Sequence, residues 1–246
     1  MTYCVGIRLK MGLIAIADTR ITSGNETTTA RKIFTDEGGD HAIFIMTSGL
    51  RSVRDKAITY FKEVLEEDGH HFNKMYKVVN AFGSQLRRVA LEDRESLEHA
   101  GLSFNLHTIV GGQLRDDDEP KLYLLYPEGN WIEVGEGTPF VIIGNSGYGK
   151  PILNRVIKYD TPAHIALKAG FLSFDSTRVS ANDVGFPIDV VVLENDTFEL
   201  IQHRYEEKDL TNVSATWGSF LNEALTKIPD EWMDKVLVQM ENPENA

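Results

Sequence analysis

The chain reads as an α+β protein in which two antiparallel sheets are stacked and helices lie outside them. Three observations predict this. Short apolar runs of strand length come in blocks, runs of helical period come in pairs between those blocks, and the two kinds do not alternate one for one as a doubly wound sheet requires. With 246 residues, 42% of them hydrophobic, the chain supplies one sizeable core and gives no support for several domains.

Residues 3–9 and 12–17 are apolar runs separated only by Lys10 and Met11, which predicts a hairpin. Residues 23–30 are polar, rich in Thr and without periodicity, so they read as a connection. Strand-like segments at 32–35 and 41–46 then complete a sheet-rich amino-terminal unit. From Leu50 the spacing of Val53, Ala57, Ile58, Phe61, Val64 and Leu65 is helical. After a break at 68–71, Met75, Val78, Val79, Phe82, Leu86, Val89 and Ala90 repeat it, so two helices are expected side by side on one face. Their apolar faces are core in a monomer and candidate contacts between subunits in an assembly.

Runs at 104–110, 121–126, 131–134 and 140–143, divided by polar tips at 116–119 and 129–130, predict a second antiparallel sheet. The stretch 144–149 interrupts it. Ile152, Leu153, Val156 and Ile157, followed by the Thr161–Pro162 start signal, predict two more helices. Residues 188–193 and 198–204 read as a hairpin, and Leu210, Val213, Trp217, Phe220, Leu221, Ala224 and Ile228 as a last amphipathic helix. One domain spanning 1–246, with a helical extension from about 208 and a frayed tail at 241–246, is therefore expected.

Lys+Arg number 25 against Asp+Glu 37, a formal net charge of −12, and such a surface repels phosphate backbones and anionic headgroups. Nucleic acid and membrane are not expected partners. Apolar runs such as Val190 to Leu193 stop far short of a bilayer span, and the first residues carry no secretory signal, so a cytoplasmic location is expected. Cys4 is the single cysteine, which rules out an internal disulfide and a multi-thiolate metal site within one chain.

Thr2 is the smallest clue to chemistry. Removal of Met1 leaves a threonine that carries a hydroxyl and a free α-amine on one residue. Such an amine titrates at about 7.7 to 8, so near neutrality a useful fraction can accept the hydroxyl's proton during attack on a carbonyl. A nearby cation favours that attack. Lys32 opens an apolar strand where a buried ammonium can sit, and a buried ammonium requires a carboxylate. Asp18 ends the strand that pairs with 3–9, which carries it towards Thr2. Taken singly, Asp18 reads as a turn residue and Lys32 as a solvated strand end; their joint order carries the weight.

The run Thr2, Tyr3, Cys4, Val5, Gly6, then Gly12 through Arg20 with Asp18, Thr19 and Arg20 at its end, resembles the start of mature proteasome β-type subunits, which are amino-terminal-nucleophile (Ntn) hydrolases. Further matches are Lys32 and Ile33, the turn Thr47, Ser48, Gly49 with Asp55 after it, the stretch 144–149, and a helix leading into Ser180, Ala181, Asn182 and Asp183. Starting at the nucleophile without a propeptide and carrying a longer carboxy-terminal part, the chain is most similar to the Anbu family of bacterial proteasome-like proteins, with the bacterial HslV peptidase next.

The resemblance implies a four-layer αββα sandwich and a threonine-type peptidase that needs no cofactor and no metal. It implies Thr2 as nucleophile with its α-amine as proton acceptor, Lys32 tuning the hydroxyl, Asp18 holding Lys32, and the Gly49 N–H as oxyanion donor. Ser146 would help orient the amine, and Ser180 or Asp183 would do likewise; the serine register in the 144–149 loop is open by one place. Thr47 and Ile21 would shape the pocket for the residue preceding the cleaved bond. The Asp18-to-Lys32 interval is about two residues shorter than the family's, which leaves Arg31 as a competitor for the lysine's role. Substrates would be peptides or unfolded proteins, the partner a second copy of the chain in a ring or open spiral; an ATPase partner stays open.

Two other classes compete. Gly144 to Lys150 matches the phosphate-loop pattern G-x-x-x-x-G-K, with Glu194 after an apolar strand to mimic a metal-holding residue, but Pro151 supplies neither a hydroxyl for Mg²⁺ nor an N–H for phosphate. A non-catalytic shell subunit of the same fold is the third reading, opposed by the joint presence of Thr2, Asp18 and Lys32. Ser146 fails the nucleophile-elbow pattern because Tyr148 stands where Gly is needed, His70 and His71 read as a solvated turn, and 116–119 lacks calcium-loop spacing.

Overall fold

The structure is a computed structural model that describes residues 2–23 and 26–241; Met1 and most of the tail expected to fray lie outside the described residues. It divides into two compact units, one ending at Glu207 and the other beginning at Lys208.

In the first unit, β1 (Tyr3–Leu9) and β2 (Gly12–Asp18) form the expected hairpin, each buried along its whole length. The polar stretch after them is an extended ribbon, β3 (Arg20–Ser23) with β4 (Glu26–Thr29), where a connection was expected. All four residues of β4 are exposed, so no buried face imposes period-two alternation on a segment whose Thr residues favour strand. Strands β5 (Ile33–Gly38) and β6 (His41–Gly49) precede helices α1 (Arg51–Asp68) and α2 (Met75–His99). Strands β7 (Leu106–Leu114), β8 (Lys121–Leu125), β9 (Trp131–Glu133) and β10 (Phe140–Gly144) follow, then α3 (Lys150–Val156), α4 (Ala163–Ser180), and the hairpin β11 (Ile188–Glu194) and β12 (Leu200–Tyr205).

The strands divide between sheets differently from the blocks read in the sequence. One sheet runs β10-β1-β2-β11-β12 and the other β5-β6-β7-β8-β9. The 140–144 strand thus leaves the second block to pair with β1, Cys4 opposite Ile143, and the 33–49 strands leave the first to pair with β7. Periodicity identifies a strand and its buried face but carries no information about which distant segment of the chain becomes its neighbour.

Between the sheets, Cys4, Ala15, Phe44, Met46, Ile109 and Val191 share one apolar core. On the far face of the second sheet, Val53, Phe61, Val78 and Phe82 of α1 and α2 close over Ile43, Ile45 and Val110, with Phe61 edge-on to Phe82 at 5.3 Å between centroids. The apolar faces of α1 and α2 are therefore core, and the expectation that they contact other subunits is corrected: Val53, Ala57, Phe61, Val78 and Phe82 are fully buried within the chain. On the opposite side, α4 lies against β1 and β2, Gly170 over Ile16 and Phe174 against Tyr3. The result is a four-layer αββα sandwich. The acidic tip at 116–119 serves the fold, since Asp117 accepts hydrogen bonds from Met75 N at 2.9 Å and Leu114 N at 3.1 Å and so caps α2.

The second unit holds α5, whose first residue Glu207 closes the first unit (Glu207–Leu225), and α6 (Asp234–Glu241). None of the α5 residues is buried, and Phe220, Leu225 and Trp232 are exposed.

Candidate active site

Asp18 ends β2, and the hairpin register that sets Cys4 opposite Ala17 brings its carboxylate to the start of β1. Tyr3 N donates to Asp18 Oδ1 at 2.9 Å, and Lys32 Nζ donates to the same oxygen at 2.6 Å. Gly185, in the turn before β11, donates its N–H to Oδ2 at 3.4 Å. Asp18 is fully buried and Lys32 is 5% exposed. Burial pushes the Asp18 carboxyl above the ordinary carboxylate range, while the Lys32 ammonium and the Tyr3 and Gly185 N–H groups pull the other way. Lys32, not Arg31, meets the carboxylate: the Arg31 guanidinium donates to Gln202 Oε1.

Thr2 precedes this cluster by one residue and is buried, 8% exposed. Its carbonyl accepts the Asn145 N–H at 2.7 Å. Gly144, opposite Tyr3 in the register, adopts φ +86°, and a Cβ there would stand 1.9 Å from Thr2 O. Only glycine lets β10 come so close. The stretch with the phosphate-loop pattern therefore spends the Asn145 N–H on the backbone of Thr2, and Ser146, half-buried within it, accepts the Lys150 N–H at 3.3 Å through its carbonyl.

Gly49 closes β6 with φ +147°, where a Cβ would lie 2.0 Å from Asn105 O, and α1 begins two residues later. The positive end of an 18-residue helix thus faces the tip of β6. Ser48 Oγ lies 3.1 Å from the point where a Gly144 Cβ would stand, so this tip adjoins the strand that covers Thr2. Among the described residues the donors to Asp18 are Tyr3, Lys32 and Gly185; Ser180, exposed at the end of α4, and Asp183, half-buried in the turn that follows, are not among them.

A cleft of about 310 Å³ opens beside Lys32, between β5, β6 and α1, and Thr47 lines it. Ile21 does not; it sits half-buried on β3 opposite Thr28. Two contributors escape sequence reading. Ser173 of α4 accepts the Tyr3 hydroxyl's hydrogen bond at 2.6 Å, and Gly149 lies so close to Ser173 that a Cβ there would come within 2.2 Å of its Oγ. Neither it nor the Gly185 N–H carries a side-chain signal that a linear pattern distinguishes from an ordinary small residue. Among the described residues no group of three or more His, Cys, Asp or Glu side chains is placed to hold a metal ion, and no helix is long and apolar enough to cross a membrane.

The family model described as proteasome subunit matches residues 2–192. Among solved structures, an Anbu (Gly-1) mutant from Hyphomicrobium sp. strain MC1 is 34% identical over 93% of this chain and 99% of that one, with a TM-score of 0.86. Anbu (ancestral beta-subunit) from Yersinia bercovieri is 30% identical over 92% and 98%, with a TM-score of 0.85. The helical assembly of the Anbu complex from Pseudomonas aeruginosa gives 30% identity over 92% and 97%, with a TM-score of 0.87. No curated protein matches the chain.

Proposed function

Because the chain belongs to the Anbu branch of the proteasome family, we propose that it is a threonine-type peptidase subunit that acts after loss of Met1 within an assembly of its own copies. The observation that carries this reading is the buried Lys32–Asp18 pair, tied by Asp18 to the N–H of Tyr3 and so held beside Thr2. A buried ammonium is costly even when it is paired, as Lys32 is with Asp18, and a charge kept beside the residue before Tyr3 at that cost supports a role in stabilising a threonine alkoxide.

In the proposed reaction the Thr2 α-amine takes the proton from Thr2 Oγ as that oxygen attacks the peptide carbonyl. The Lys32 charge favours the alkoxide, and the Gly49 N–H, at the head of α1, stabilises the oxyanion. The protonated amine then gives its proton to the leaving nitrogen, and the C–N bond breaks to leave a Thr2 ester. Water, deprotonated by the same amine, attacks that ester; the bond from the acyl carbon to Thr2 Oγ breaks, the amine returns its proton to Oγ, and the carboxylic acid leaves. The Thr47 cleft receives the residue preceding the scissile bond, and the 144–149 loop with Ser146, together with Ser180 or Asp183, orients the amine.

Assembly is supported by the likeness to a protein solved as a helical complex and by Phe220 and Trp232, which are 57% and 74% exposed on the second unit. The experiment is intact mass of the purified assembly before and after treatment with a peptide epoxyketone, which captures an amino-terminal threonine through both its oxygen and its amine. Loss of Met1 and one adduct per chain are expected; a retained Met1 with no adduct would overturn the reading in favour of an inert shell subunit.

A further inference from the structure

The cleft beside Lys32 is cationic on a protein whose formal net charge is −12. Arg31, Lys32, Arg54 and Lys62 line it against one carboxylate, Asp55. That carboxylate is already engaged, 2.5 Å from Arg54 Nη2 and 3.4 Å from Arg51 Nε. Lys32 is engaged by Asp18. The other two cations have neutral partners among the described residues: the Arg31 guanidinium meets the Gln202 amide oxygen, and the Lys62 ammonium stands over the Phe34 ring, 5.6 Å from its centroid. An independent observation lies in the wall of the same cleft. Thr47 is 4% exposed and its hydroxyl, buried, has no hydrogen-bond partner among the described residues, although a buried hydroxyl without one costs free energy.

From this we infer that the cleft selects an acidic side chain, Asp or Glu, at the position preceding the scissile bond, an inference that rests on the peptidase reading above. The volume of about 310 Å³ lies at the small end of ligand sites, which suits one side chain rather than a larger ligand. Ile45, Ile58 and Phe34 cover the methylene stem, the Thr47 hydroxyl gives the carboxylate a donor, and Arg31 and Lys62 give it charge that no carboxylate among the described residues neutralises. A Lys or Arg side chain in the same place meets like charge, so rejection is as much a part of the selectivity as attraction.

The test uses the assembled full-length protein and three peptide epoxyketones identical except for Glu, Leu or Lys next to the electrophile, with the rate of adduct formation read by intact mass. Glu is expected to react faster than Lys by about tenfold, the effect of a few partly screened charges. High salt should compress the ratio. Lys62→Glu, which reverses one charge of the cleft at an exposed position, should cut the Glu-over-Lys ratio by about threefold or more. Thr47→Val should slow the Glu probe more than the Leu probe. Adducts that form with Leu or Lys as fast as with Glu would overturn the acidic preference and leave the peptidase reading intact. If no probe reacts, the peptidase reading fails instead, and the cleft is then judged by fluorescence anisotropy of labelled peptides ending in Glu, Leu or Lys: tighter binding of Glu that Lys62→Glu weakens supports the inference, and equal binding overturns it.

Discussion

Lys32 Nζ lies 2.6 Å from Asp18 Oδ1, in a place where the carboxylate is wholly buried and the lysine nearly so. Removing one charge leaves the other stranded, which costs about 3 to 5 kcal/mol, whereas replacing both is often close to neutral. Lys32→Met leaves the buried Asp18 carboxylate without its cation and should lower the melting temperature sharply and abolish peptide hydrolysis. Adding Asp18→Asn, which keeps an acceptor for the Tyr3 N–H, should restore most of the melting temperature and none of the hydrolysis. Calorimetry together with a fluorogenic peptide assay checks both halves; activity regained with stability would show the pair to be structural only.

That pairing was legible because both residues sit at strand ends, and strands β1 and β2 announce themselves by largely apolar runs buried on both faces. The choice of Lys32 over its neighbour Arg31 rested on the strand phase that Ile33 and Phe34 set, since the two differ by one place and only the strand's facing decides which side chain turns inward. Gly185 and Ser173 were invisible: the first acts through its backbone and the second through a hydroxyl in a helix. The covering of β1 by β10 was also hidden, because it joins segments far apart in the chain and depends on φ +86° at Gly144.

Acid should silence the protein before it unfolds it. The Asp18 carboxyl, raised by burial, takes up its proton in the folded chain more readily than in the unfolded one. Its contribution to stability is therefore full below the unfolded value of about 3.9 and is lost as pH rises through the raised folded value. Protonation of Asp18 thus does not favour unfolding, but it removes the negative charge that holds Lys32. Hydrolysis should fall reversibly as pH drops through a window that begins above the ordinary aspartate range, with the near-ultraviolet circular dichroism unchanged. Coincident loss of both signals would contradict this.

Phe61 is fully buried in α1 and meets Phe82 of α2 edge-on. Phe61→Ala should destabilise the chain by about 3 to 5 kcal/mol. Because the faces of α1 and α2 are core rather than contact surface, urea unfolding should shift strongly while light scattering of the still-folded fraction reports the same assembly mass. Dissociation without loss of stability would return these helices to the role of subunit contacts.

Gly144→Ala is the sharpest probe of how Thr2 is held. The residue adopts φ +86°, a conformation costing an L-residue about 1 to 3 kcal/mol, and the added methyl would start 1.9 Å from Thr2 O. Backbone lies on both sides of that contact, so relief requires β10 to withdraw or Thr2 to move. Either movement breaks the 2.7 Å hydrogen bond from Asn145 N to Thr2 O and shifts the threonine relative to Lys32. Misplacement of a reacting atom by a fraction of a bond length costs far more in rate than in folding. The variant should accordingly lose about a hundredfold in hydrolysis for a modest drop in melting temperature, with the epoxyketone adduct slowed in proportion. Equal losses of rate in Gly144→Ala and in a second variant, Gly137→Ala, where a Cβ meets nothing within 4 Å, would show that the close approach at Thr2 does not matter.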